Sequence, residues 1–204
     1  MDELDLLKKD WKRQEGSLPK LSYEEIYKMI LKKSSSIVKW IFIISIIEFV
    51  LWTSIDVTFR LMGNYDPIEG TSFEKFSYIS YVFSYGILIY FMVKFYLNYK
   101  RIQVTDSAKE LMHNIIKTRK TVKHYVYINL SFIAVFSMIS VFIVYYSDKI
   151  EPKSEEVPLY ALVISSIIMI SLFIGFLALL YRFVYGVLTR RLKRNYEELE
   201  KLKD

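Results

Sequence analysis

Glu48 is the residue whose chemistry most needs explaining, because it interrupts the apolar run IFIISIIEFVLW near its middle. A charged residue at the centre of a bilayer costs about 2.5–3.5 kcal/mol on insertion scales. Such a residue is by default a functional candidate. Hydroxyls at matching depth are available in three later apolar runs: Ser84 and Tyr85 in one, Ser137 and Ser140 in the next, and Ser166 and Ser171 in the last. Hydrogen bonds from Glu48 to such groups would fix helix register. The sharper alternatives are proton or ion handling, or contact with a ligand. No second charge lies at the centre of a span to form a relay.

Other chemistry is scarce. Cysteine is absent and histidine occurs twice, at His113 and His124. On one helix those two lie about three turns apart, too far to chelate one metal. The nucleotide-binding glycine loops and the H-E-x-x-H zinc helix are missing. A serine nucleophile has no base placed beside it. The expectation is therefore a protein that is not an enzyme, with no catalytic residues, metal or cofactor.

The elements that would position Glu48 are membrane helices. Of the 204 residues, 53% are apolar and 25% charged, and the two kinds are segregated along the chain. About 20 apolar residues in a helix cross a hydrocarbon layer about 30 Å thick. Four stretches meet this: residues 37–57, 76–97, 125–146 and 159–188. The alternation expected of barrel strands is missing. The fold class is thus all-α, a polytopic four-helix transmembrane bundle with cytoplasmic amphipathic helical extensions.

Orientation follows from lysine and arginine in the flanks. Nine lie up to Lys39, seven in the 98–124 connection and six after Thr189, against four in the other two loops. Those two loops are acidic and short, too small to fold as sensor domains. Both termini are expected in the cytoplasm. No signal peptide is visible: a long charged segment precedes the first apolar run, and no small-residue cleavage site follows it.

The division of the chain is then 1–36, a cytoplasmic helical segment; 37–188, the membrane domain with its 98–124 connection; and 189–204, a cytoplasmic tail. Residues 2–15 place Leu4, Leu7 and Trp11 at helical spacing. Gly16 and Pro19 break that pattern. Ser22 and Glu25 then form a capping box, followed by the apolar stripe of Ile26, Met29, Ile30 and Leu31. Ser34, Ser35 and Ser36 read as a polar joint before the first span. In the central connection Thr105 or Asp106 can cap a helix carrying Leu111, Met112, Ile115, Ile116 and Val122, with no breaker before the third span. These stripes either pack together, lie on the membrane or bind a partner. Leu4, Leu7, Trp11, Ile26 and Ile30 are the candidate anchors for a partner, since amphipathic helices with such spacing dock into grooves. The basic residues suit anionic membrane lipid, not direct nucleic-acid binding. In the fourth span Ser171, Gly175 and Ala178 permit close helix approach, within the bundle or in a homo-oligomer.

The strings DLLKKDWKRQE, LSYEEIYKMILKKSSSIVKWIFIISIIEFVLW and KELMHNIIKTRKTVKHY resemble a group of small four-span flavobacterial membrane proteins. The likeness extends over most of the chain. Members are often encoded beside an extracytoplasmic-function sigma factor, so the resemblance implies an anti-sigma or sigma-regulating role with a cytoplasmic sigma factor as partner. Some members carry a label as a carotene-cleaving oxygenase. Those enzymes resemble β-propellers that hold iron with four histidines, and this chain has only two. The expected function is a membrane-anchored regulator that binds a soluble partner through its N-terminal helices. The alternative is a structural or transport-accessory subunit that forms an oligomer or joins another membrane protein.

Overall fold

The computed structural model describes residues 22–62, 70–146 and 158–201, together with Lys8. Every regular element among them is an α-helix. They are α1 (Tyr23–Leu61), α2 (Ser72–Gln103), α3 (Ala108–Tyr145) and α4 (Leu159–Lys201). Each contains a stretch long and apolar enough to cross a membrane. This is a four-helix membrane protein.

Three of the four helix starts follow one local rule. Ser22 Oγ accepts from the Glu25 amide at 3.3 Å, and Glu25 Oε2 accepts from the Ser22 amide at 2.7 Å. Thr71 and Glu74 repeat the S/T-x-x-E spacing at α2, and Ser107 and Glu110 repeat it at α3, with cap bonds of 3.2 Å in each. A side-chain oxygen thereby satisfies an amide that the helix itself leaves unpaired. Ser107, not Thr105 or Asp106, caps α3, because the Thr105 hydroxyl turns back to the Arg101 carbonyl at 2.8 Å. The serine triplet is no joint. α1 runs through it unbroken, and Ser34 is fully buried.

The helices run alternately up and down. α1 pairs with α2 from Tyr27–Thr105 at one end to Phe49–Tyr85 further along. α2 pairs with α3 from Asn98–Thr121 to Phe76–Phe136, and α4 returns beside α3 and α1. The two diagonal pairs, α1 with α3 and α2 with α4, touch least.

Buried positions recur every three or four residues. On α1 they are Ile30, Ser34, Val38, Ile41 and Ser45; on α2, Leu88, Phe91, Phe95, Asn98 and Ile102. α3 continues the pattern with Leu111, Ile115, Thr118, Val122, Tyr125 and Asn129, while on α4 the buried Leu177, Tyr185, Leu192, Asn195 and Leu199 follow at intervals of eight, seven, three and four. A repeat averaging 3.5 keeps one seam of each helix facing its neighbours, as in coiled coils. Four buried amides break the apolar seam, and such groups fix register. Asn195 donates to Ser34 at 2.9 Å, Asn114 to Thr105 at 3.1 Å and Asn98 to Thr121 at 3.2 Å.

This core lies toward one end. Helices of 32 to 43 residues are about 48–65 Å long, well beyond the hydrocarbon thickness. The excess is at the basic end, where residues 23–36, 98–124 and 189–201 form a stalk around Ile30, Ile102, Leu111, Ile115, Leu192 and Leu199. At the opposite end no residue of α1 46–61, α2 72–87, α3 130–145 or α4 159–176 is buried.

The stalk corrects part of the expected partner surface. Ile30 is 3% exposed and Ile26 packs against the same core, so both serve intramolecular packing. Their stripe meets the matching stripes of the other extensions, which leaves it unavailable to a partner. Leu4, Leu7 and Trp11 lie outside the described residues.

Candidate functional site

Glu48 sits on α1 where the packed core ends, and its partners are tyrosines. Tyr181 and Tyr185, one turn apart on α4, present their hydroxyls to the two carboxyl oxygens. Tyr181 donates to Oε1, and Tyr185 donates to Oε2 at 3.1 Å. On α3, Asn129 Nδ2 donates to the Tyr181 hydroxyl at 2.7 Å and lies 3.5 Å from the Tyr125 hydroxyl. The bonds therefore run in one direction, from Asn129 through Tyr181 to Glu48, with Tyr185 joining from the other side. The carboxyl group is the common acceptor.

Aromatic rings wall this network. Tyr125 is 1% exposed and Tyr185 2%. Tyr125 stands at 5.9 Å from Tyr181 and 5.7 Å from Tyr185, both edge-on. Phe91 and Phe95 of α2 close on Tyr125 at 5.2 and 5.5 Å. All four helices thus contribute one layer. Edge-to-face packing adds stability beyond burial alone, and a satisfied polar network inside a core specifies a single arrangement.

The arrangement can hold an acidic group in an apolar layer by hydroxyl donation alone. It also leaves one side of that group accessible. A cavity of about 210 Å³ lies between α1 and α4, lined by Ile44, Ile47, Leu177 and Leu180 with Glu48, Tyr181 and Tyr185 at its base. Among the described residues no group of three His, Asp or Glu side chains is placed to hold a metal ion.

The serines expected around Glu48 lie elsewhere. Ser84 is half-buried in a second cavity of about 210 Å³ between α1 and α2, which also contains Asp56 and Tyr85. Ser140 bonds the Phe136 carbonyl of its own helix at 2.8 Å. Ser171 is exposed. Gly175 is exposed too, and nothing lies within 4 Å of where its Cβ would be. Ala178 is half-buried in the α3–α4 groove. The bundle therefore makes no internal close approach at Gly175.

Tyr125, Asn129, Tyr181 and Tyr185 were not singled out by sequence reasoning. The available signal was spacing. Tyr125 and Asn129 are four apart and both buried, and Tyr181 lies midway between the buried Leu177 and Tyr185. Comparison with known families covers this whole layer, since a family model matches residues 24–204. The chain belongs to the family described as a domain of unknown function (DUF8845). No curated protein and no solved structure matches the chain.

Proposed function

We propose that this DUF8845 member is a multi-pass regulator of the bacterial inner membrane, with both termini cytoplasmic, which holds a soluble partner at the membrane surface. A sigma factor is the partner class, and the action is of the anti-sigma kind. One observation carries the reading. The packed core continues beyond the apolar runs into a stalk, at the end where lysine and arginine concentrate. A protein whose work lay wholly within the bilayer has no need of such a platform. Leu4, Leu7 and Trp11 are the anchors that remain once Ile26 and Ile30 are assigned to the stalk.

The test places a photo-crosslinking residue at position 11 of the full chain in native membranes and follows a sigma-dependent reporter. A crosslinked sigma factor, together with reporter activation on replacing Leu4, Leu7 and Trp11 by Ser, is the expected result. Crosslinks only to membrane proteins, with an unchanged reporter, would refute it.

A second reading, an oligomeric scaffold, draws on the open outward face at Gly175. It expects Gly175→Leu to convert oligomers to monomers in lipid nanodiscs while the bundle stays folded. An unchanged mass distribution would count against it.

A further inference from the structure

The seam between α1 and α4 carries two cavities in line. It is also the loosest of the four interfaces between adjacent helices. The first cavity, about 680 Å³, lies at the base of the stalk, where Lys32 and Lys33 of α1 face Arg191 and Arg194 of α4. Ser36 adds a hydroxyl and Ile37 an apolar edge, and among the described residues no acidic side chain lines the cavity. Lys32, Lys33 and Arg191 make no salt bridge among the described residues. Arg194 is oriented by Glu198, which accepts from its Nε at 3.2 Å. The second is the apolar cavity beside Glu48 and Trp52. From Ile37 in the first to Ile44 in the second is about 10 Å of helix rise.

We propose that the α1–α4 seam is a binding site for one anionic phospholipid, with its phosphate among Lys32, Lys33, Arg191 and Arg194 and an acyl chain running into the cavity beside Glu48. Charge complementarity selects the headgroup. Basic pockets between membrane helices at the headgroup level bind anionic lipid in this way. The depth selects a lipid over a soluble anion. Ile37 opens the first apolar run and Arg191 follows the last, so the four cations sit at the membrane surface, and the apolar cavity lies one chain segment deeper. Arginine adds planar, paired donors that suit phosphate oxygens. The inference goes beyond the regulatory reading and stands without it, since it requires no soluble partner.

Trp52 lines the deeper cavity and serves as the reporter. In the full chain carrying Trp11→Phe and Trp40→Phe it is the remaining tryptophan of three. The protein is placed in phosphatidylcholine nanodiscs containing lipid brominated in mid-chain, either phosphatidylglycerol or phosphatidylcholine. Half-maximal quenching of Trp52 is expected at a mole fraction about fivefold or more lower for the anionic lipid. The preference is expected to vanish in the variant Lys32→Gln, Lys33→Gln, Arg191→Gln, Arg194→Gln. It is expected to persist in a charge-matched control, Arg101→Gln, Lys109→Gln, Lys117→Gln, Lys120→Gln, whose residues are also exposed. Equal quenching by both lipids would overturn the proposal, as would equal loss in both variants. Binding of pyrophosphate by the lipid-free protein through the same four residues, with no lipid preference in nanodiscs, would overturn it in favour of a soluble anion.

Discussion

The stalk half and the opposite half of the bundle are built from the same four helices and obey different packing rules. In the stalk, Ile102, Leu111, Ile115, Leu192 and Leu199 are fully buried, and Asn98, Asn114 and Asn195 are satisfied inside the core. In the opposite half the helices touch through ring pairs such as Phe76–Phe136 at 5.5 Å and Phe83–Phe136 at 6.3 Å, and bury no residue. The solvent explains the difference. Around the stalk is water, so apolar stripes must cover one another, at about 25 cal/mol per Å² removed from water. Around the other half is hydrocarbon, which is as apolar as leucine and exerts no such drive. Glu48 marks the border. Its layer of tyrosines is the last one that joins all the helices.

Mutation should break this comparison most visibly in the core. Leu192→Ala in the stalk is expected to cost about 2–5 kcal/mol in reversible unfolding from mixed micelles. Ile164→Ala in the opposite half, 57% exposed, should stay within about 0.5 kcal/mol. Similar costs at both sites would mean that the two halves are packed alike.

A smaller effect is expected at the border. A double-mutant cycle of Glu48→Gln and Tyr181→Phe should give a coupling of about 0.6 and not more than about 1.7 kcal/mol, the range seen for hydrogen bonds between membrane helices. A coupling indistinguishable from zero would remove the carboxyl–hydroxyl bond from the account.

The smallest effect is local. The Ser22 amide and hydroxyl bonded to Glu25 hold its carboxyl below its ordinary value of 4.5. A lowered folded value means that the capping contribution is present above 4.5 and is lost as pH falls through the lowered value. The protection of first-turn amides of α1, measured relative to intrinsic exchange at each pH, should therefore fall at acidic pH, and Glu25→Gln should remove that dependence. The Leu192 region should show neither change.

Much of the architecture was legible because it rests on composition and period. The four spans follow from apolar length, and the first cap from Ser22 and Glu25. The stalk was only half legible. Leu111, Met112, Ile115 and Val122 announced a buried stripe, but which stripes meet depends on long-range pairings such as Ser34 with Asn195, 161 positions apart. The same limit hid the Glu48 layer. Depth alone nominated serines, but a serine hydroxyl in a helix readily turns to the carbonyl four residues back, as Ser140 does. A tyrosine hydroxyl stands far enough from its own backbone to reach across to α1. Which tyrosines do so follows from the 3.5-residue seam, a signal that four separate apolar runs do not advertise.

Cysteine labelling of the stalk tests the central claim most directly, since the chain contains no cysteine of its own. Single cysteines at Ile115, Thr118 and Leu192 are compared with neighbours at Lys117, Lys120 and Lys193 in native membranes, using a membrane-impermeant maleimide. The account predicts rapid labelling at the three lysine positions, and protection at the three buried positions that only denaturation removes. Equal labelling within each pair of neighbours would show that the extensions do not pack on one another, and the stalk would have to be abandoned.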